Sequence, residues 1–432
     1  MHIVHPPFFY TENQHKMQGF VPFYPIFCPF SACLILFSYD IIPVRGEIVM
    51  RATRKGNPVK LGIETLKREV RSKKVVLLMN HTALDQQGQN LIDVMPAWEC
   101  EVVFLIGLEH GIRGNLYQNI RSGPDQRTGL YVHSIYNFSN PRYHLDASLF
   151  RDVDGIVATF QDAGVRHYTY IAMLFYQMNV LTPLGKTVWV LDRPNPIGGH
   201  MVEGGGMKKE LFSSLGVFDY PLRHGMTIGE LATMYNQTVL QGKCDLRVIP
   251  MEGWERTMWY EDTGLIWIPA SPNIPTPMTF LAFATTGLLQ NSGFSCGVGT
   301  TYPFFVFGSP ATRGNEIASQ LNALDLPGFI AIERYFQPSF DQESDQVYHG
   351  TMLHIYDREA FRPYRTQLEI LSLLGREYPS GFHMENRHFN RRNGSMDVYD
   401  MIIRQEPPHI IIEKWAENAK RFEETRQPYL LY

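Results

Sequence analysis

The stretch "GLEHGIRG" at Gly107–Gly114 directly follows the apolar run Val102–Ile106 and places Glu109 and His110 among glycines. A carboxyl and an imidazole where a buried strand ends can move protons. Glycoside hydrolysis needs such chemistry: one carboxylic acid protonates the leaving oxygen, and a second carboxylate usually acts as base or nucleophile. Glu109 suits the acid role, because partial withdrawal from water favours a neutral carboxyl. Asp162 in "FQDAGVR" is the first choice for the second group, with Glu203 and Asp85 behind it. The structural alternative for Asp162 is an ion pair with Arg166, four residues on.

Other chemistries find less support. His81, His110, His167 and His224 all stand near expected loop ends. No H-x-H or H-E-x-x-H occurs, so no metal is expected. There is no G-x-S-x-G elbow, and Cys296 in "FSCGVG" is a glycine-flanked thiol without an evident base. No G-x-G-x-x-G follows the first strand. "GVGTTYP" (Gly297–Pro303) and "GGG" (Gly204–Gly206) read as turns, so no cofactor is expected.

Positioning these groups falls to a series of apolar runs: "KVVLLMN" (Lys74–Asn80), "EVVFLIG" (Glu101–Gly107), "DGIVATFQD" (Asp154–Asp162), "KTVWVLD" (Lys186–Asp192) and "LRVIPMEGW" (Leu246–Trp254). They alternate with mixed or helix-periodic segments such as "RHYTYIAMLFYQMNVLT". Continuous apolar strands between helices predict a parallel sheet covered on both faces, an α/β, Rossmann-like doubly wound domain. Ligands bind such sheets at the carboxyl ends of the strands. The polar groups that end each run should therefore converge: Asn80 and Asp85; Glu109, His110 and Arg113; Gln161, Asp162 and Arg166; Asp192, Arg193 and Asn195; Glu252 and Trp254. Arg113, Arg166, Arg193 and Arg223 suit an anionic ligand group. Trp254, Tyr168 and Trp267 are candidates to stack on a sugar. Glu203, His224 and Asn273 complete the expected substrate-binding set.

From "NIPTP" (Asn273–Pro277) the character changes. Strand-like "FIAIERYF" and "GTMLHIYD" mix with helix-like "AFRPYRTQLEILSLLGREYP" and "IIEKWAENAKRFEETRQPYLLY". This predicts a smaller α+β domain over 276–432, after a catalytic domain over 56–275 and an N-terminal extension over 1–55. The extension holds an uncharged apolar run, Gly19–Tyr39, which reads as a secretory or anchoring segment broken by three prolines. Export, with possible membrane association, is the expectation it raises.

With 432 residues, a net charge of −4 and 19% charged residues, the chain is globular and carries no electrostatic footprint for nucleic acid. Five cysteines without a C-x-x-C pair exclude a zinc ribbon or a disulfide scaffold.

Several stretches resemble the bacterial exo-β-N-acetylmuramidases, a glycoside hydrolase family: "NHTALD" (Asn80–Asp85), "LEHGIRG" (Leu108–Gly114), "QDAGVRHYTYI" (Gln161–Ile171), "VLDRPNPIGG" (Val190–Gly199), "PLRHGMTIGELA" (Pro221–Ala232), "MEGWERTM" (Met251–Met258), "SPNIPT" (Ser271–Thr276) and "GTTYPF" (Gly299–Phe304). They run in the family's order over roughly 60–432. The resemblance implies a Rossmann-like domain bearing the active site, a smaller C-terminal domain, and metal-free release of N-acetylmuramic acid from non-reducing ends of peptidoglycan fragments. It puts Glu109 at the family's catalytic glutamate. The lactyl carboxylate of muramic acid would account for arginines. Leu108 stands where the family has proline, Thr159 where it commonly has aspartate, and Val298 where it commonly has arginine. The last two departures leave a catalytically weakened cell-wall-sugar binding protein as the alternative, beside a metal-dependent hydrolase.

Overall fold

All five apolar runs of the first domain contain strands. A computed structural model describes residues 58–117, 121–136, 143–290, 292–340, 346–382 and 386–432, together with the backbone of a hairpin in 38–53. In that hairpin β1 (Ser38–Val44) pairs antiparallel with β2 (Glu47–Thr53). The apolar run Gly19–Tyr39 lies outside the described residues except for its last two, which open β1.

After α1 (Ile63–Glu69), seven strands build the main sheet: β3 (Lys74–Met79), β4 (Glu101–Gly107), β5 (Gly123–Pro124), β6 (Tyr131–Ser134), β7 (Gly155–Thr159), β8 (Thr187–Leu191) and β9 (Leu246–Ile249). Their order is β5-β6-β4-β3-β7-β8-β9, parallel throughout except for the edge pair β5–β6. The strand "EVVFLIG" takes the span its composition predicts.

Alternation along the strands separates the two faces. Val75, Leu77 and Met79 of β3 join Val157 of β7, Leu66 of α1 and Leu91 of α2 (Leu91–Val94) in one core. Val76, Leu78, Ile156 and Ala158 point the other way, toward α3 (Tyr170–Leu181) and α4 (Ile228–Thr238). Helix α3 is apolar on nearly every side because it is buried on nearly every side. The chain leaves β3 to one side through β4 and β6, then returns to lay β7 on β3's other flank. That reversal is the switch point of an open α/β sheet, where a crevice forms beyond the strand ends.

The C-terminal part has its own antiparallel sheet. Strands β10 (Val306–Phe307), β11 (Phe329–Phe336) and β12 (Tyr348–Ile355) run in the order β10-β12-β11. Around it stand α5 (Thr279–Thr286), α6 (Gly314–Ala323), α7 (Pro363–Glu377), α8 (Asn386–Asn393), α9 (Asp397–Arg404) and α10 (His409–Arg426). Among the described residues no helix is long and apolar enough to cross a membrane.

Candidate active site

Strand register sets the site. Met79 at the end of β3 is level with Gly107 of β4 on one side and Thr159 of β7 on the other. The residues that follow these ends (Asn80, Leu108–Glu109 and Phe160–Asp162) therefore emerge together. A cleft of about 510 Å³ opens above them, within the range of small-molecule sites, roughly 300–1,000 Å³. Glu109, His110, Tyr136, His167, Tyr168 and Thr169 line it from the first domain. Ser271, Asn273, Ile274, Phe283, Gln290, Val298, Phe304 and Arg392 line it from the segments that follow.

Glu109 is half-buried in this cleft. Its Oε2 accepts a hydrogen bond from Thr169 Oγ1 at 2.6 Å. Thr169 is the N-cap residue of α3, yet its side chain makes no bond to the helix. Tyr136 is buried beside Glu109, and burial first, then the neighbouring carboxylate, pushes its hydroxyl pKa up. Below the site, Tyr170 OH donates to Ala270 O at 2.7 Å and Tyr168 OH to the same oxygen at 3.2 Å. His81 Nε2 meets Pro269 O at 2.7 Å. These contacts pin the Pro269–Asn273 segment over the strand ends.

The glycines of the opening stretch have a steric reason. Gly111 and Gly114 have φ of 80° and 70°, the left-handed region that favours glycine. A Cβ on Gly114 would stand 2.0 Å from His81 Nδ1. His110 itself takes φ 69° and sends Nδ1 to Leu116 O at 3.0 Å.

Of the expected site residues, Glu109, His110, Tyr168 and Asn273 share the cleft, and the others stand elsewhere. Asp162 is 5% exposed and does not line it. Its Oδ2 accepts from Gly164 N at 3.0 Å, and its Oδ1 finds no partner. Burial pushes its pKa up to about 7, against the pull of the Gly164 and Ala163 N–H groups. His224 Nε2 lies 3.9 Å away, but burial, with Arg426, Arg166 and Arg223 nearby, presses that imidazole down to about 3. The imidazole is therefore neutral at neutral pH, and the contact is not an ion pair. The alternative ion pair with Arg166 does not form either. Arg166 is fully buried and donates to the carbonyls of Gly205, Tyr220, Arg392 and Asn393.

The remaining arginines are similarly engaged. Arg113 pairs with Asp125 at 2.7 Å and Asp93 at 3.1 Å. Arg223 holds Glu203 at 2.7 Å and Ile197 O at 2.6 Å. Arg193 donates to Thr159 Oγ1 and Leu84 O, and with Asp85 it lines a separate cavity of about 270 Å³. Where the resemblance leads to an aspartate, Thr159 thus serves as an acceptor for Arg193.

Asp192 differs most from expectation. It is wholly buried and accepts from Thr227 Oγ1, Gly229 N and Tyr432 OH at 2.6, 2.8 and 2.9 Å. Thr227 and Glu230 form a capping box at the start of α4, so Asp192 ties that helix end to the last residue of the chain. Gln161 bonds Asp162 O and Pro194 O, Asn195 bonds Met226 O, and Asn80 caps its own turn through Thr82. Trp254 is buried against Tyr432, and Trp267 packs on Tyr260 and Phe280. The four histidines likewise diverge: His167 meets Tyr364 OH at 3.1 Å and is pressed down to about 3 by burial.

Thr169, Tyr136, Tyr170, Ser271 and Arg392 escape the sequence reading. Thr169 and Tyr170 lie within the matching stretch "QDAGVRHYTYI" but look like helix start and core. Arg392 comes from α8, far from every strand end.

Comparison with known proteins finds matches over most of the chain. Residues 75–278 match the family model described as exo-beta-N-acetylmuramidase NamZ, N-terminal, and residues 281–432 match its C-terminal counterpart. The chain is 32% identical over 388 residues to the peptidoglycan beta-N-acetylmuramidase NamZ of Bacillus subtilis (strain 168), spanning 88% of this chain and 93% of that one. Two crystal structures of DUF1343 family proteins from Bacteroides fragilis NCTC 9343 share the fold. One has a TM-score of 0.80 at 32% identity, the other 0.65 at 26%; each alignment covers 87% of this chain and 99% of the other.

Proposed function

The chain belongs to the exo-beta-N-acetylmuramidase NamZ family, and from that premise we propose that Glu109 is the acid that frees N-acetylmuramic acid from non-reducing ends of peptidoglycan fragments. The protein is a glycoside hydrolase of this type, with a role in cell-wall turnover. One observation carries the catalytic reading. Among the described residues lining the cleft, Glu109 is the one carboxylate, and Thr169 fixes its orientation.

A single carboxylate leaves the second role to the substrate. The 2-acetamido oxygen of the sugar attacks the anomeric carbon as the glycosidic bond breaks, and Glu109 gives its proton to the departing oxygen. Glu109, now a carboxylate, takes a proton from water, which opens the cyclic intermediate. This is the substrate-assisted variant of glycoside hydrolysis. Thr169, whose hydroxyl donates to Oε2, orients the carboxyl that carries the proton.

The test is turnover of a chromogenic β-N-acetylmuramide and of a disaccharide with muramic acid at its non-reducing end. Release of free N-acetylmuramic acid from both supports the reading, and no release from either contradicts it. Export belongs to the same proposal, supported by the apolar run Gly19–Tyr39 and by the extracytoplasmic place of peptidoglycan. Fractionation of cells expressing the full chain tests it: activity confined to the cytosol would contradict export.

A further inference from the structure

Arg392 stands apart from the other arginines. It is the one arginine or lysine among the residues lining the cleft. Its guanidinium donates to Gln290 O at 2.6 Å through Nη1, and among the described residues it makes no other hydrogen bond. By contrast, buried Arg166 satisfies four carbonyls and Arg426 three. Arginines that tie the fold together meet several carbonyls in this way, since unmet buried donors are costly. Arg392 makes no ion pair with Glu109, although that carboxylate, Tyr136 and Cys296 all lie within its electrostatic reach. Arg392 lines the same cavity as the acid.

The position of Arg392 is also over-determined. It is the penultimate residue of α8, and Arg166 from the first domain grips the end of that helix through the carbonyls of Arg392 and Asn393. Gly394 follows with φ 83°, and a Cβ there would stand 2.4 Å from Arg166 Nη2. The first domain thus fixes where the second presents its cation.

An N-acetylmuramic acid differs from an N-acetylglucosamine by one group, the 3-O-lactyl ether with its carboxylate. A guanidinium can take a carboxylate through two parallel bonds. Val298 and Phe304 in the same cleft offer apolar surface to the lactyl methyl. We infer that Arg392 binds the lactyl carboxylate and is the residue that makes the cleft select muramic acid over glucosamine sugars. The inference rests on the glycosidase reading given above.

Two measurements on Arg392→Gln and Arg392→Lys test it, with melting temperatures as the control for folding. In calorimetry, N-acetylmuramic acid should bind Arg392→Gln roughly 10- to 100-fold more weakly than wild type, the size of a lost charge-assisted hydrogen bond. Arg392→Lys should fall between, and the methyl ester of N-acetylmuramic acid should bind wild type and Arg392→Gln alike. In kinetics, the kcat/KM ratio of a chromogenic β-N-acetylmuramide over the matching β-N-acetylglucosaminide should fall by a similar factor, carried by KM. Equal binding of N-acetylmuramic acid by wild type and Arg392→Gln would overturn the inference, as would failure of wild type to bind it. Arg392-dependent binding without turnover by wild type would refute the glycosidase reading and leave the carboxylate site standing.

Discussion

Thr169 Oγ1 donates its hydrogen to Glu109 Oε2 at 2.6 Å instead of serving the helix it caps. Threonine is a favoured N-cap because its side-chain oxygen satisfies an early helix N–H. Here that contribution is given up, and a hydrogen bond to the Glu109 carboxyl is gained. The relationship couples the start of α3 to the end of β4.

Thr169→Val keeps the shape and removes the donor. The expected outcome is a loss in kcat of roughly 10-fold with little change in KM, because the bond orients the acid and does not hold substrate. Steady-state kinetics on the chromogenic muramide check it. A loss confined to KM would place Thr169 in substrate binding instead.

Asp162 gives a pH prediction. Its carboxyl is raised from 3.8 to about 7 by burial. A raised acid contributes stability that is complete below its unfolded value and lost as pH climbs through its folded value. Asp162→Asn removes that dependence, while raised Asp192 remains in both proteins. The melting temperature of the variant minus that of wild type should therefore increase from pH 4 to about pH 7 and then level off. A difference that shrinks over this range would mean the buried carboxyl is held ionised.

Arg166→Met leaves four carbonyl oxygens without their donor. Stability should drop by roughly 3 kcal/mol or more, as for other losses of a buried polar network. Whatever remains folded should show a raised KM for the muramide, because the end of α8 is released. Denaturant unfolding and kinetics on the same preparation separate the two effects. An unchanged unfolding midpoint would show that the buried guanidinium does not clamp the helix.

Substrate assistance fixes the stereochemistry. Two inversions at the anomeric carbon give net retention, so the sugar first released from a β-linked substrate is the β-anomer. Proton NMR during the first minutes of the reaction reads this directly. An α-anomer formed first would require a carboxylate-activated water in place of the acetamido group.

The sheet was legible because, after a charged first residue, "KVVLLM" and "EVVFLIG" run on without a polar side chain, as a sheet covered on both faces requires. The short edge strands β5 and β6 and the two-residue β10 carry no such signal. Glu109 was legible from its place after β4. Asp192 and Arg166 end or follow strands in the same manner, but polar groups near buried helix ends and domain seams also need partners. Asp192 has the start of α4, and Arg166 the end of α8. Sequence position alone does not separate a polar residue that faces ligand from one that satisfies backbone. Arg392 was hidden for a further reason: only the packing of α8 against the first domain brings it to the cleft.

The most direct measurement is the turnover of Glu109→Gln on two β-N-acetylmuramides whose leaving groups differ in acidity. The amide preserves shape and the acceptor for Thr169 but cannot supply a proton. The account predicts an intact fold, retained binding of N-acetylmuramic acid, and a fall in kcat/KM of at least about 100-fold for the poor leaving group, with a much smaller fall for the acidic one. Near-wild-type rates on both substrates would contradict it and remove Glu109 from the chemistry.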